Sequence, residues 1–266
     1  MDFSEDQIHR YARHILLPEI GGEGQARLLQ SKVLVVGAGG LGSPLILYLA
    51  AAGVGTIGVI DDDRVDLSNL QRQVLHATGR IGMGKAESAR LAAAAVNPEV
   101  RVVAHPERIT ADNALTLVEA YDLVADGSDN FPTRFLVNDA ARLAGKTLVS
   151  AAVLRFDGQL ATFKPPGPCY RCLYPAEPPE GEVPTCAEAG VLGAMAGVMG
   201  TLQAVEVAKE LLGIGESLSG SLLIVDGLAT GFRKIRLRPD PACALCGPHA
   251  SIHDLSAHRT LAHAGC

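Results

Sequence analysis

The sequence predicts an α/β protein built on an open, mostly parallel sheet with helices on both faces. Two observations lead to this fold class. Short apolar runs alternate with helical segments over residues 33–151, and a glycine-rich turn, 37–42, directly follows the first apolar run. A glycine-rich turn between a strand and a helix is typical of Rossmann-like nucleotide-binding sheets.

The elements follow one another in the order expected for such a sheet. A polar helical arm is predicted over residues 1–30, with its helix near 4–15. Five apolar runs predict strands at 33–36, 56–60, 100–104, 123–126 and 147–151. The segments between them predict helices near 43–52, 85–96, 111–120 and 132–144.

The alternation ends after Gly158. Three later segments predict strands that extend the same sheet in mixed orientation, at 159–164, 221–225 and 232–237. Residues 1–248 are therefore expected to form one domain. The apolar run 190–205 is too short to cross a membrane and predicts a buried helix. Residues 249–266 contain four of the eight histidines without core-forming periodicity, which predicts a flexible, His-rich tail.

The composition bounds the class of protein. The chain has 266 residues, of which 48% are hydrophobic, and a formal net charge of -6. These values describe a mildly acidic globular protein that can bury a sizeable core, and they argue against nucleic acid as a partner. Residues 1–6 are acidic and polar, unlike a secretion signal. We therefore expect a cytoplasmic protein that has no membrane partner.

The glycine-rich turn is the first candidate binding site. Gly37, Gly39 and Gly42 fit the pattern G-x-G-x-x-G, and Gly40 lies within it. Missing side chains let the backbone turn tightly and approach a phosphate at a helix N-terminus. Asp61 lies 24 residues after Gly37 at the end of the second strand, where it can accept hydrogen bonds from ribose hydroxyls.

Donor side chains that follow Asp61 favour a nucleoside triphosphate such as ATP. Asn69, Arg72 and Lys85 would crowd three phosphates with hydrogen-bond donors, whereas hydride transfer needs a smooth apolar crevice. Taken singly, each is an ordinary surface residue. A nicotinamide-dependent oxidoreductase would use the same glycines but should be indifferent to Lys85. A non-catalytic scaffold of this fold should have lost some of these charged residues.

Two aspartates are candidates for binding magnesium. Asp129 follows the predicted strand 123–126, at the edge of the sheet where open parallel sheets bind ligands. Magnesium prefers hard oxygen ligands and takes few of them from protein. A turn or helix-capping role is equally compatible with Asp129, and the same ambiguity applies to Asp63.

Two cysteine pairs predict a structural zinc site. Cys169 and Cys172 form one Cys-x-x-Cys pair, and the second pair, Cys243 and Cys246, begins 71 residues after the first one ends. Two such pairs supply four thiolates to one tetrahedral ion and leave no position open for water. A redox dithiol needs only one pair, and a disulfide framework is disfavoured without a secretion signal. The metal would clamp the last part of the chain onto its middle.

Cys186 lies outside this metal set. It follows a segment, 175–184, that is rich in proline and glutamate. An exposed, mobile thiol and a small buried apolar residue are both compatible with this context.

The chain resembles the ThiF/MoeB/HesA adenylyltransferases, the bacterial relatives of ubiquitin-activating enzymes, and its likeness to MoeB-type members is the stronger one. The resemblance extends from Ser4 to about Gly247. It rests on the motifs at 10–15, 37–42, 68–73, Lys85, 126–130, both cysteine pairs and 185–190.

The resemblance implies an activity and partners. Members use magnesium-ATP to adenylate the C-terminal glycine of a small ubiquitin-like sulfur carrier, MoaD in molybdenum cofactor synthesis or ThiS in thiamin synthesis. A narrow channel to the α-phosphate predicts a carrier that ends in Gly-Gly. Because no rhodanese-like domain follows Cys246, sulfur is expected from a separate donor protein.

The resemblance also implies residue roles. Asp61 would bind ribose, Asp129 magnesium with help from Asp63, and Arg13 would reach the neighbouring subunit's site in a homodimer. The phosphates would be bound by Asn69, Arg72 and Lys85. Cys186 matches the position that can form a disulfide-type link to the carrier in thiamin-pathway members.

Overall fold

The computed structural model describes residues 3–179, 181–182 and 186–261, and a single eight-stranded sheet lies at its centre. The strands are β1 (Lys32–Val36), β2 (Thr56–Ile60), β3 (Arg101–His105), β4 (Leu123–Asp126), β5 (Thr147–Leu154), β6 (Asp157–Phe163), β7 (Ser221–Asp226) and β8 (Gly231–Arg236). Their order across the sheet is β3-β2-β1-β4-β5-β6-β7-β8. The first five are parallel, and β6, β7 and β8 continue the sheet antiparallel. The predicted mixed sheet is therefore confirmed.

Helices cover both faces of this sheet. They are α1 (Glu5–Ile15), α2 (Gly21–Gln30), α3 (Gly42–Ala51), α4 (Lys85–Val96), α5 (Ala114–Glu119), α6 (Phe131–Leu143), α7 (Tyr170–Leu173), α8 (Cys186–Ala189), α9 (Gly193–Leu212) and α10 (Ala257–Leu261). The first helix begins at a capping box, in which Ser4 Oγ accepts from the Gln7 amide and Gln7 Oε1 accepts from the Ser4 amide, both at 3.1 Å.

Alternate residues of β1 enter two separate apolar cores. Val33 and Val35 pack into the core formed with α3, α4 and α9. Leu34 and Val36 pack into the core on the opposite face, formed with α5 and α6. Successive side chains of a strand point to opposite faces, so a strand covered on both sides is apolar throughout. This explains the unbroken apolar runs in the sequence.

Most of the apolar run 190–205 lies in α9, and the predicted buried helix is buried only in part. Met195 and Met199 are buried against the sheet, whereas the side chains of Val198 and Val205 are 40% and 54% exposed. α9 packs against β4, β5 and β6 of the sheet and against the helices α2 and α3, and the rest of its surface stays exposed. In the described part of the chain, no helix is long and apolar enough to cross a membrane.

A buried ionic cluster joins the C-terminal part of the chain to α6. Asp139 is fully buried, and Arg171 donates to both of its oxygens at 2.7 and 2.8 Å, while His258 Nε2 lies 2.8 Å from Oδ2. Burial raises the pKa of Asp139, but hydrogen bonds from His258 and Arg171 outweigh it and leave this pKa below its usual value. Within the expected tail 249–266, the residues up to Leu261 are described, and Leu255 among them is buried.

The glycine-rich turn lets α3 start directly against the end of β1. Gly37 has a φ of +90°, which favours glycine. A Cβ on Gly42, the first residue of α3, would lie 1.9 Å from the Gly37 carbonyl oxygen. The atoms that would clash with this Cβ are backbone atoms of Gly37, so the clash cannot be relieved by moving a flexible side chain.

We expect Gly42→Ala to lower the free energy of unfolding by about 1–3 kcal/mol, because the added methyl group forces backbone displacement. Denaturant titration measures this change. The matched control is Gly79→Ala, where a Cβ would meet no atom within 4 Å, and its stability should stay within about 0.5 kcal/mol of the parent. Equal stability of the two variants would contradict the close packing at Gly42.

Candidate active site

A cavity of about 280 Å³ opens where the strand order reverses. From β1 the chain continues to β2 on one side, whereas β4 lies on the other side of β1. Open parallel sheets bind ligands at such a switch point, outside the carboxyl ends of the strands. Eight of the residues predicted to bind nucleotide or magnesium line the cavity: Gly37, Gly39, Gly40, Asp61, Asp63, Arg72, Lys85 and Asp129.

Three other predicted residues do not line it. Gly42 lies behind the turn, where it forms the start of α3. Asn69 lies in a short 3-10 turn, and its Nδ2 is 3.4 Å from Ser68 Oγ. Arg13 is exposed on α1, on a helix anchored by the buried Tyr11, whose hydroxyl accepts from Asn97 at 2.8 Å. The structure contains one chain, so the predicted reach of Arg13 into a second subunit stays a prediction.

Asp61 braces the glycine turn. Its Oδ2 accepts from the Ala38 amide at 2.8 Å, and its Oδ1 accepts from the Asp63 amide at 2.9 Å. Burial raises the pKa of Asp61, although the hydrogen bond from Ala38 and the charge of Lys85 act in the opposite direction. Each carboxylate oxygen has a second lone pair, so the brace leaves acceptor capacity for a ribose hydroxyl.

Two of the cationic side chains that line the cavity, Lys85 and Arg72, were predicted from the sequence. Lys85 is the first residue of α4, is 6% exposed, and donates to Asp63 Oδ2 at 2.7 Å. The side chain of Asp63 is 67% exposed, so solvent screens this ion pair from one side. Arg72 is half-buried and donates from Nη1 to the Ser68 carbonyl at 3.2 Å. Both positive groups can turn towards an anion in the cavity.

The turn that carries Asp129 is held by buried polar groups. Asp126, fully buried at the end of β4, accepts from the Ser128 amide at 2.9 Å and from Ser150 Oγ at 3.0 Å. Arg134 Nη2 donates to the Ser128 carbonyl at 2.6 Å. At the tip, Asp129 is exposed, and its Oδ1 lies 3.5 Å from Asn130 Nδ2. Its oxygens are thus free to bind a hard cation such as magnesium.

Several cavity residues were missed by the sequence analysis. Gln73 and Ser128 are nearly buried, and Gln73 Oε1 and Ser128 Oγ have no hydrogen-bond partner among the described residues. Arg134 lines the same cavity. Orphaned polar atoms and a side-chain-free glycine turn fit a polar, phosphate-bearing ligand. Gln73 and Ser128 lie inside the motifs 68–73 and 126–130, but membership of a motif does not indicate burial.

The four cysteines of the two pairs come together, as predicted. Their Sγ atoms all lie within 4.8 Å of one another; Cys169 and Cys243 are 3.6 Å apart, and Cys172 and Cys246 are 3.3 Å apart. All four are free thiols. Zinc–sulfur bonds of about 2.3 Å in a tetrahedron require sulfur–sulfur distances of about 3.8 Å, so the cluster fits a zinc ion after small adjustments.

Burial changes the pKa of thiols in the cysteine cluster. Burial raises the pKa of the Cys246 thiol to about 12 and raises the pKa of Cys169 as well. A cation that stabilises thiolates would reverse this effect. Cys186 begins the short helix α8, and its side chain lies outside the described part of the structure.

Several known proteins are similar to this chain in sequence. A sulfur carrier protein adenylyltransferase from Thermus thermophilus is 52% identical over 261 residues, which cover 96% of each chain. A SAMP-activating enzyme E1 from Haloferax volcanii is 50% identical over 251 residues, 94% of this chain and 93% of that protein. The mouse adenylyltransferase and sulfurtransferase MOCS3 is 53% identical over 251 residues; they cover 94% of this chain and only 55% of MOCS3.

Solved structures support the same fold. The crystal structure of E. coli MccB with MccA-N7isoASN superimposes with a TM-score of 0.77 at 23% identity, over 92% of this chain and 76% of MccB. The sequence profile of the ThiF family matches residues 11–245, which span most of the domain described above. The chain therefore belongs to the ThiF family.

Proposed function

We propose that this chain uses magnesium-ATP to adenylate the C-terminal glycine of a small ubiquitin-like sulfur-carrier protein and releases pyrophosphate. One observation carries the proposal: a phosphate-type glycine turn, two cations and a free carboxylate, Asp129, share one cavity at the switch point of the sheet. The relative from Thermus, with 52% identity, is named a sulfur carrier protein adenylyltransferase, which supports proposing adenylation of such a carrier for this chain.

The chemistry follows from charge. The nucleophile is the carrier's carboxylate, which is ionised at neutral pH, so the α-phosphorus can be attacked without a general base. An anion that attacks a polyanion is repelled, and Lys85 and Arg72 offset this repulsion and stabilise the departing pyrophosphate. Lys85 would exchange its solvent-exposed partner Asp63 for a phosphate oxygen. Magnesium bound through Asp129 would supply further positive charge.

The proposed carrier is of the MoaD type, which assigns the chain to molybdenum cofactor synthesis; a ThiS-type carrier of thiamin synthesis is the alternative. Pyrophosphate exchange with both purified carriers, measured side by side, separates them. We expect faster exchange with the MoaD-type carrier, and deletion of its terminal Gly-Gly should abolish exchange. Failure of both carriers to support exchange would contradict the proposed activity. In the proposed pathway, a separate donor protein supplies the sulfur.

We expect Lys85→Ala and Asp129→Ala each to lower carrier-dependent ATP–pyrophosphate exchange by about two orders of magnitude or more, because each removes a group that balances the charge of the triphosphate. Circular dichroism should show an intact fold in both variants.

Two matched controls accompany these variants. Arg64 is exposed, does not line the cavity and donates only to the Gly82 carbonyl, so Arg64→Ala should keep exchange close to that of the parent. Cys186→Ala should also keep it, because adenylation precedes any thiol chemistry. Near-normal exchange in Lys85→Ala or Asp129→Ala would refute the role assigned to that residue.

The proposed occupant of the four-cysteine cluster is one structural zinc ion per chain. Cys172→Ser should release this zinc and lower the melting temperature, because metal binding and folding of the site are coupled. Metal analysis after dialysis and thermal unfolding measure the two effects. Cys186→Ala is the control and should retain one zinc. A zinc-free protein with Cys169 and Cys172 joined in a disulfide would overturn the assignment.

The proposed assembly is a twofold homodimer in which Arg13 acts in the partner's site. Co-purified dimers of one Arg13→Ala subunit and one Lys85→Ala subunit should regain about half of the parental exchange, because both defects then fall in the same site and the other site is intact. Dimers that combine Lys85→Ala with Asp129→Ala are the control and should stay inactive. Arg13→Ala homodimers should be inactive, and active ones would mean that Arg13 has no role. Inactive Arg13→Ala/Lys85→Ala dimers would mean that Arg13 acts within its own subunit.

A further inference from the structure

His76 is a buried histidine that the proposed chemistry does not use. It lies along the chain between the 3-10 turn Leu67–Asn69 and α4, and the residue is 7% exposed. The ring makes two hydrogen bonds: Nε2 lies 2.9 Å from the Ala38 carbonyl oxygen, and Nδ1 lies 2.8 Å from Ser88 Oγ. It therefore bridges the glycine turn and α4.

The partners of His76 fix its tautomer. A carbonyl oxygen only accepts, so Nε2 must carry the proton that it donates to Ala38. Burial lowers the pKa of His76, and the charges of Lys85 and Arg80 act in the same direction, so the ring is neutral near pH 7. In this tautomer Nδ1 accepts, and the hydroxyl of Ser88 donates to it.

The hydrogen bond from His76 fixes the second of the two backbone polar groups of Ala38. Ala38 lies between Gly37 and Gly39, two residues with wide conformational freedom. Its amide is held by Asp61 and its carbonyl by His76. No other hydrogen bond to the Ala38 carbonyl is found in the described ranges. Without His76, a fully buried carbonyl between two glycines would have no partner there.

The other end of the bridge is fixed to the helix that begins with Lys85. Ser88, one turn into α4, is fully buried. Arg80 donates to the Ser88 carbonyl at 2.5 Å and to the Leu75 carbonyl at 2.9 Å. The segment that carries His76 therefore contacts Ser88 of α4 through two side chains, those of His76 and Arg80. The position of the glycine turn relative to Lys85 is thereby determined.

We infer that His76 is a positioning residue that holds the glycine turn at the distance from Lys85 required to bind a nucleoside triphosphate. His76 touches no reacting atom. It acts through Ala38 on one side and through Ser88 on the other. The inference of a fixed turn rests on hydrogen bonds alone, whereas its consequence for nucleotide binding rests on the proposed function.

Three variants of His76 test the inference. His76→Phe keeps a ring without donors, and His76→Asn reaches only as far as Nδ1, so both lose the hydrogen bond to Ala38. His76→Gln places an amide N–H near the position of Nε2 and should restore it. Ser88→Ala keeps the donor to Ala38 but loses the contact between His76 and α4, so the amides of the glycine turn should keep the parental exchange rate while the Kd for ATP rises. Should His76→Phe fail to fold, His76→Asn provides the same comparison.

Two measurements separate the inference from the proposed function. In nucleotide-free protein, hydrogen–deuterium exchange of the amides of residues 38–42 should accelerate about tenfold in the Phe and Asn variants and return to the parental rate in Gln and Ser88→Ala. In calorimetric titration, the Kd for ATP should rise about tenfold in the same two variants while the affinity for the carrier stays unchanged.

The outcomes are distinct. If the amides respond as expected but the parent binds no ATP, the fixed turn holds and the proposed function fails. Unchanged amide exchange in Phe and Asn would overturn the inference. So would a Gln variant as impaired as Phe, since the ring shape and not the donor would then matter.

Discussion

The hydrogen bond from the Ala38 amide to the Asp61 carboxylate is the contact on which the arrangement of the cavity depends. It joins the end of β1 to the end of β2, which are adjacent parallel strands, and it fixes a peptide unit that two glycines leave free to rotate. A short carboxylate side chain at the strand end can reach this amide only if the turn stays tight. The glycine turn can be this tight only because Gly42 has no Cβ, since α3 starts in contact with the Gly37 carbonyl. Phosphate-type geometry is thus a consequence of backbone packing at one turn.

The opposite wall of the cavity is stabilised by a buried carboxylate that binds no ligand in this scheme. Asp126 links β4 to β5 through Ser150 and fixes the Ser128 amide, while Gln203 of α9 donates to the Asp126 carbonyl at 2.8 Å. A buried charge is costly unless several donors surround it, and here every oxygen of Asp126 has one. These hydrogen bonds offset the free-energy cost of burying Asp126 and make the turn rigid. The rigid turn holds the exposed Asp129 at the edge of the sheet.

The sequence predicted the elements better than the contacts between them. The helix at 85–96 was placed at its observed bounds, and the two cysteine pairs were correctly brought together, because periodicity, glycines and Cys-x-x-Cys spacing are local signals. His76, Gln73 and Arg134 were missed, since a lone polar residue gives no local sign of burial and the partners of His76 lie far from it in the sequence. The run 190–205 predicted a buried helix because it is apolar, and this local signal does not show how much of α9 other elements cover. The ligand roles of Asp61, Lys85 and Asp129 stay predictions, as does the role of Cys186.

Helix α6 connects the cavity to the cysteine cluster. Its N-cap, Asn130, follows Asp129 directly, and Asp139 in its third turn binds Arg171, which lies between the two cysteines of the first pair. Asp139 also contacts His258, so the segment after the second cysteine pair is fastened to the same point. Replacing one partner would leave a charge uncompensated in the interior, which makes this junction stiff. A metal ion that orders the cysteine loops would therefore also fix α6, and through its N-terminus the turn that carries Asp129. In the proposed scheme the cysteine cluster takes no part in the chemistry, and an effect of bound metal on the cavity would pass through α6.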